Sequence, residues 1–308
     1  MSANRTAVLL MAYGSPDTLD DVEAYLTDIR GGRRPPPEAV EELKERYRQV
    51  GVPTPLLRIS LEVTRGLESL LGEGYCVHLG MKHWTPRIAT AVQAIVTEGA
   101  DRLIAIVLAP HYSRMGTGGY RLQVERALRA SRSDIRLDFV ESWHDLDGYL
   151  ETVAENVREE LNQFSKPELV VGIFTAHSLP ARIMDEGDPY QEQLLFSTRE
   201  IARRAAVHRW EFAFTSQSRT GEPWLGPDLL DVLKRRASQG DRQFLVTSVG
   251  FTADHLEILH DVDIEAQETA RELGIEVRRP KMLNSDPRFV HALAGLVLRR
   301  AATVPAAS

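Results

Sequence analysis

Cysteine is almost missing: Cys76 is the one thiol in 308 residues. A single thiol excludes an internal disulfide framework, a CxxC redox pair and a cysteine-held iron–sulfur cluster. Its strand-like neighbourhood predicts a small buried side chain. Long apolar runs are missing as well. The first, Ala7 to Tyr13, is far shorter than the ~18–20 residues that cross a bilayer. It follows a lone Arg5, lacks a small-residue cleavage site and runs into Gly14-Ser15-Pro16, so it reads as a first β-strand and not a signal peptide. Basic charge is in deficit, with 37 Lys and Arg against 44 Asp and Glu, a net −7. No basic stripe offsets that balance, which argues against a nucleic-acid partner. These absences predict a soluble, cytoplasmic monomer with no integral membrane segment.

Familiar site signatures are absent too. The stretch Gly116-Thr117-Gly118-Gly119 lacks the spacing of G-x-G-x-x-G and of G-x-x-x-x-G-K-[ST], which rejects dinucleotide and P-loop readings. No G-x-S-x-G elbow surrounds Ser178, so a serine hydrolase is not expected.

What the chain does contain is alternation. Strand-like runs fall at 7–13, 75–80, 103–109, 137–141, 169–176, 211–216, 244–251 and, weakly, 275–278. They are aliphatic and β-branched without strict alternation, as strands buried on both faces of a parallel sheet are. Helical patterns between them include 37–50, 61–71, 85–98, 149–163, 190–206 and 228–239. Strand and helix in turn predict an α/β, doubly wound fold. Two halves echo each other: MAYGSP (11–16) matches TAHSLP (175–180), GMKH (80–83) matches TSQS (215–218), and LAPH (108–111) matches GFTADH (250–255). The predicted division is residues 1–150 and 151–308. Ligands in such sheets bind beyond the carboxyl ends of strands, where these polar turns fall, and two facing rims would form a cleft.

The most informative stretch is 253–269, with six acids, two histidines and no Lys or Arg. Glu257, Asp261 and Glu265 fall at i, i+4 and i+8, so a helix stacks three carboxylates on one face. Like charges at that spacing each cost a few tenths of a kcal/mol. The row reads either as a cation track or as a solvated face paired with arginines elsewhere. Oxygen ligands with an imidazole suit Mg²⁺, Mn²⁺ or Fe²⁺ alike. His177, at the end of a strongly apolar strand, is either a hydrogen-bonded structural group or a proton acceptor and metal ligand. In the first half, Arg30 to Arg34 and then Arg46 and Tyr47 form a guanidinium-rich rim suited to carboxylates or phosphates, or simply a solvated loop. Lys82-His83-Trp84 reads as a binding turn or as packing.

Taken in order, MAYGSP, GMKH, LAPH, ESWH (141–144), TAHSLP, PWLGPD (223–228) and FTADHLEILHDVDIE (251–265) resemble the ferrochelatase family from near residue 6 to near 298. The resemblance implies two Rossmann-like halves around a porphyrin cleft. It implies a lyase of haem biosynthesis that inserts Fe²⁺ into the macrocycle with loss of two pyrrole protons. His177 and Glu257 match the catalytic, iron-holding pair. Asp261 and Glu265 match a carboxylate row on a widened helix, a secondary site for a cation such as Mg²⁺. No cofactor beyond the substrate Fe²⁺ is implied. Tyr13 resembles the bacterial branch that acts on coproporphyrin III, where it ligates product iron from the opposite face. In that branch Arg30, Arg46, Tyr47, Thr54 and Tyr120 match propionate-binding positions; Thr54 stands where serine is commoner, and keeps the hydroxyl. Asp254, His255 and Ile264 share features with the protoporphyrin branch. The alternatives are therefore a protoporphyrin IX enzyme, a non-catalytic tetrapyrrole carrier, and a chelatase for cobalt or nickel.

Overall fold

A computed structural model describes residues 5–217 and 221–303; Ser218, the last residue of the TSQS turn, lies outside them. The described strands form two four-stranded parallel sheets. β1 (Thr6–Ala12), β2 (Tyr75–Met81), β3 (Arg102–Val107) and β4 (Arg136–Val140) take the order β2-β1-β3-β4. β5 (Val171–His177), β6 (Trp210–Thr215), β7 (Gln243–Ser248) and β8 (Glu276–Arg278) take the order β6-β5-β7-β8. Counted within each sheet, the two orders are the same: second, first, third, fourth.

Every strand-like run is a strand, with ends shifted by a few residues. β7 stops at Ser248, short of the expected 251, because the backbone N–H groups of Val249 and Gly250 both turn to the Thr175 carbonyl. Gly250 is required there: a Cβ on it would lie 2.6 Å from the Ala176 Cβ. The helices are α1 (Val22–Ile29), α2 (Pro37–Val50), α3 (Leu56–Leu71), α4 (Ile88–Thr97) and α5 (Thr117–Ala130) in the first half. They continue with α6 (Asp147–Leu161), α7 (Tyr190–Arg204), α8 (Leu229–Ser238), α9 (Ala266–Leu273) and α10 (Pro287–Ala302). Helix α4 starts at Ile88 and not at Thr85, because Arg87 is extended and the Pro86 carbonyl accepts from the Met81 N–H. The Gly116–Gly119 stretch is the start of α5 and not a free loop. Gly119 weakens that helix by about 1 kcal/mol relative to alanine, yet a Cβ there would lie 2.8 Å from the Lys82 Nζ.

The central strands are buried along their whole length, β3 completely and β1 but for its first residue. One face of β1 (Ala7, Leu9, Met11) packs on α4 and α5. The other (Val8, Leu10, Ala12) joins a core shared with Phe174 and Ala176 of β5 and with apolar residues of α3, α6, α7 and α10. Val171 and Ile173 of β5 pack on α8 and α9. A single apolar layer therefore lies between the two sheets and fixes their rims relative to one another. Helix α10 closes it from far along the chain: Val290 seats against Gly66 of α3, and Arg102 of β3 donates to the carbonyls of Arg300 and Ala301. Asp138 of β4 pairs with both Arg102 and Arg300, and these guanidinium groups hold its carboxyl below the usual range against the opposing effect of burial.

Candidate active site at the facing strand ends

The carboxyl ends of β1, β3, β5 and β7 open on one cleft of about 1170 Å³, its open mouth included. Its walls are mostly apolar, with Leu56, Ile59 and Val63 of α3, Leu108 after β3, and Phe251 after β7. Polar groups reach it from both sheets: Tyr13, Lys82 and Tyr120 from the first, and His177, His255 and Glu257 from the second. A mostly apolar cleft with a few convergent polar groups is the form of a small-molecule site.

His177 ends β5, and its Nδ1 lies 2.8 Å from the Glu257 Oε2. Its backbone carbonyl accepts from the Tyr190 hydroxyl at 3.0 Å, which ties the strand end to α7. Burial alone pushes an imidazole pKa down, but the Glu257 carboxylate, with Asp261 beyond it, outweighs burial and raises that of His177. Burial likewise pushes Glu257 up; His177, then His255 and the Ser216 hydrogen bond, overcome it and hold the carboxyl at about 2. With Nδ1 occupied by a carboxylate, the neutral imidazole carries its lone pair on Nε2, which has no protein partner among the described residues. That nitrogen can accept a proton, and the ring's orientation is fixed from behind.

Glu257 opens the acidic segment, where residues Ile258–Glu265 form a π-helix that passes into α9. Such wide turns are rare and concentrate at functional sites. Asp261 is buried, and Glu265 is half-buried and raised, first by burial and then by Asp261. His260 joins them: its Nδ1 lies 3.3 Å from Asp261 and 3.8 Å from Glu265. The donor atoms of His260, Asp261 and Glu265 all lie within 4.8 Å of one another. Two other acids of the segment have partners that spacing does not reveal, since Arg279 pairs with Asp254 at 3.0 Å and with Asp263 at 2.6 Å. Ser216 links the His177–Glu257 pair to the row. Its hydroxyl contacts the Glu257 Oε2 at 3.2 Å and also the Asp261 carboxylate. It sits just past β6 at φ 58°, a left-handed conformation uncommon for serine. Sequence reading included it only as part of a rim motif, because a backbone angle leaves no mark on residue type.

The first sheet presents a different chemistry. Tyr13 follows β1 directly and is 41% exposed. Its ring stacks at a tilt on His83, 4.6 Å between centroids. His83 is held by Asp28 of α1 at 2.8 Å. The Lys82 ammonium lies 5.9 Å from the Tyr13 ring centroid and 4.8 Å from that of Tyr120. Burial raises the Tyr13 phenol, and the Glu257 charge adds to it; Tyr120 is raised by burial and Lys82 lowered by it. Both phenols are therefore neutral in the protein without substrate.

The remaining rim residues are not in the cleft wall. Tyr47 and Thr54 are buried behind the turn after Tyr13. There Thr54 donates to the Ser15 Oγ at 3.0 Å, and Ser15 and the Tyr47 hydroxyl are 3.4 Å apart. Burial pushes the Tyr47 phenol up to about 12. Arg30 is exposed at the end of α1, two residues after Asp28. Arg46 reaches toward the acidic row instead, 3.9 Å from the Asp261 Oδ1 and 3.8 Å from Glu42.

Two parallel sheets of one topology, closed on a slot with an imidazole–carboxylate pair, define a chelatase-like α/β protein. SirB from Bacillus subtilis, solved with Fe³⁺, has this fold: TM-score 0.56 and 13% identity, over 97% of this chain and 96% of that one. A ferrochelatase family model matches residues 5–301. A ferrochelatase of Herpetosiphon aurantiacus is 44% identical over 303 residues, 96% of this chain and 99% of that protein. A coproporphyrin III ferrochelatase of Geobacillus thermodenitrificans is 38% identical over 310 residues, 98% of each. The chain belongs to the ferrochelatase family, metal-insertion enzymes classed as lyases. No helix among the described residues is long and apolar enough to cross a membrane.

Proposed function

We propose that this chain inserts Fe²⁺ into coproporphyrin III, with His177 and Glu257 as the catalytic pair. The observation that carries the reading is the 2.8 Å His177–Glu257 contact in a cleft that Tyr13 enters from the other sheet. Insertion breaks two pyrrole N–H bonds; each electron pair goes to an Fe–N bond, and each proton needs an acceptor. His177 Nε2 holds the incoming iron on one face of the macrocycle; once the ion has passed to the ring nitrogens, the freed lone pair takes the two pyrrole protons one at a time, each released to solvent before the next, while Glu257 stabilises the imidazolium that forms. Tyr13 contacts iron from the other face. Asp261 and Glu265, joined by His260, make the secondary cation site; their oxygen-rich donor set suits a hard cation such as Mg²⁺.

Coproporphyrin carries four propionates where protoporphyrin carries two, so it makes greater use of a basic and hydroxylic rim. Arg30, Arg46 and Tyr120 supply that rim, together with Tyr47 and Thr54 once propionates replace their contacts to Ser15. Several relatives at 36–39% identity named as coproporphyrin III ferrochelatases support this choice. Steady-state Fe²⁺ insertion into each porphyrin by one protein sample is the test. Faster turnover of coproporphyrin III is expected. Faster turnover of protoporphyrin IX overturns the substrate, and tight porphyrin binding without insertion into either overturns the enzyme in favour of a carrier.

A further inference from the structure

A second group of metal-binding side chains lies away from the cleft, and nothing in the proposed reaction uses it. Cys76 and His78 are two residues apart on β2, so the strand's period of two puts both on one face. That face packs on α4, and Glu98, the residue just after α4, comes down beside them. The Cys76 Sγ, a His78 ring nitrogen and a Glu98 carboxylate oxygen all lie within 4.8 Å of one another. The His78 Nε2 and Glu98 Oε2 are 3.3 Å apart. Cys76 is 5% exposed, while His78 and Glu98 retain access to solvent. β2 is an edge strand, which leaves the group open on one side.

We infer that Cys76, His78 and Glu98 form a binding site for a borderline divalent cation of the Zn²⁺ class. Three features carry this. The donors are of three kinds, thiol, imidazole and carboxylate, the set that Zn²⁺ takes in proteins and that Mg²⁺ and Ca²⁺ do not. They come from two elements that the core already holds together, so little reorganisation is needed. Three protein ligands with one open side leave the fourth position for water, as in open zinc sites. On binding, the Cys76 S–H bond breaks, its proton passes to solvent, and the sulfur electron pair goes to the ion. Arg5, now 3.4 Å from the Glu98 Oε2, must release that carboxylate. The site is separate from the iron site: Cys76 is near the amino end of β2, and Lys82 at the cleft is six residues further on, about 20 Å along an extended strand. An ion here would clamp β2 to α4, and β2 is the strand that delivers Lys82 and His83 to the cleft.

The single cysteine makes the test specific. Titration of the full chain with Co²⁺ should give a near-ultraviolet thiolate-to-cobalt charge-transfer band, and Cys76 is its only source of sulfur as a thiolate. Competition against a chromophoric chelator should show one Zn²⁺ equivalent lost in Cys76→Ala, with porphyrin metal insertion unchanged. His78→Ala and Glu98→Gln, at partly exposed positions, should each weaken Zn²⁺ binding by at least about tenfold, since even residues behind a ligand cost that much. If Cys76→Ala fails to fold, those two variants decide. Absence of the sulfur–cobalt band in the wild-type chain overturns the site, as does a band whose metal affinity is unchanged in His78→Ala and Glu98→Gln.

Discussion

The two sheets are built on one plan and finish in opposite chemistry. Each places its first strand second in the sheet, and each carries at that strand's end an alanine followed by a polar ring: Ala12-Tyr13 in one and Ala176-His177 in the other. On the tyrosine rim, burial keeps the phenols protonated and lowers the Lys82 ammonium. The histidine rim favours the charged forms, because Glu257 raises His177 and His177 lowers Glu257. One scaffold carries both strand ends to the same cleft, and the residue at one equivalent position gives each wall its chemistry. In the proposed reaction, proton acceptance falls to the second rim, and contact and orientation to the first.

That division is open to breakage. The largest effect is expected for His177→Ala, which should lower iron insertion by a hundredfold or more, the usual scale of a lost general base being about 10²–10⁴. Porphyrin binding, followed by fluorescence quenching, should survive; retained turnover would remove the asymmetry between the rims. Glu257→Gln comes next, with a maximal rate lower by roughly tenfold to a hundredfold and a displaced pH profile. The base works as neutral imidazole, so the wild-type rate rises with pH through a His177 pKa that Glu257 has raised. Without that carboxylate burial prevails, the pKa falls, and the rising limb moves to lower pH. A limb that stays in place, measured as kcat against pH, would mean that His177 is not the titrating base. Tyr13→Phe should slow insertion by no more than about tenfold, because no proton is taken there, yet change the visible spectrum of bound iron coproporphyrin. The smallest effect should come from Asp261→Asn with Glu265→Gln: KM for Fe²⁺ rises while kcat changes little, the pattern of a site that binds without reacting.

The strands were the easiest part of this chain to read, and for a definite reason. A parallel strand covered on both faces has no polar alternation, so β1, β3 and β5 stand out as short aliphatic runs. His177 and Glu257 were legible through motifs 80 residues apart that only the fold brings within 2.8 Å. The π-helix was not legible from spacing, since residues at i, i+4 and i+8 share a face in narrow and wide turns alike. Arg279 neutralises Asp254 and Asp263 from beyond the segment, so its six acids are less exposed to one another than the sequence suggests. Tyr47 and Thr54 illustrate the reverse difficulty. Their hydroxyls suit a propionate, but in this structure they are committed to Ser15, a choice that residue type alone does not show.

Helix α10 carries a consequence for how the protein is made. It seats against α3, and its end supplies carbonyls and a guanidinium to Arg102 and Asp138 of the first sheet. The ribosome delivers the first sheet well before this helix. During synthesis, the apolar flank of α3 must therefore wait uncovered, or in temporary company, until the chain has passed residue 302. The first half is made early and covered only when α10 arrives.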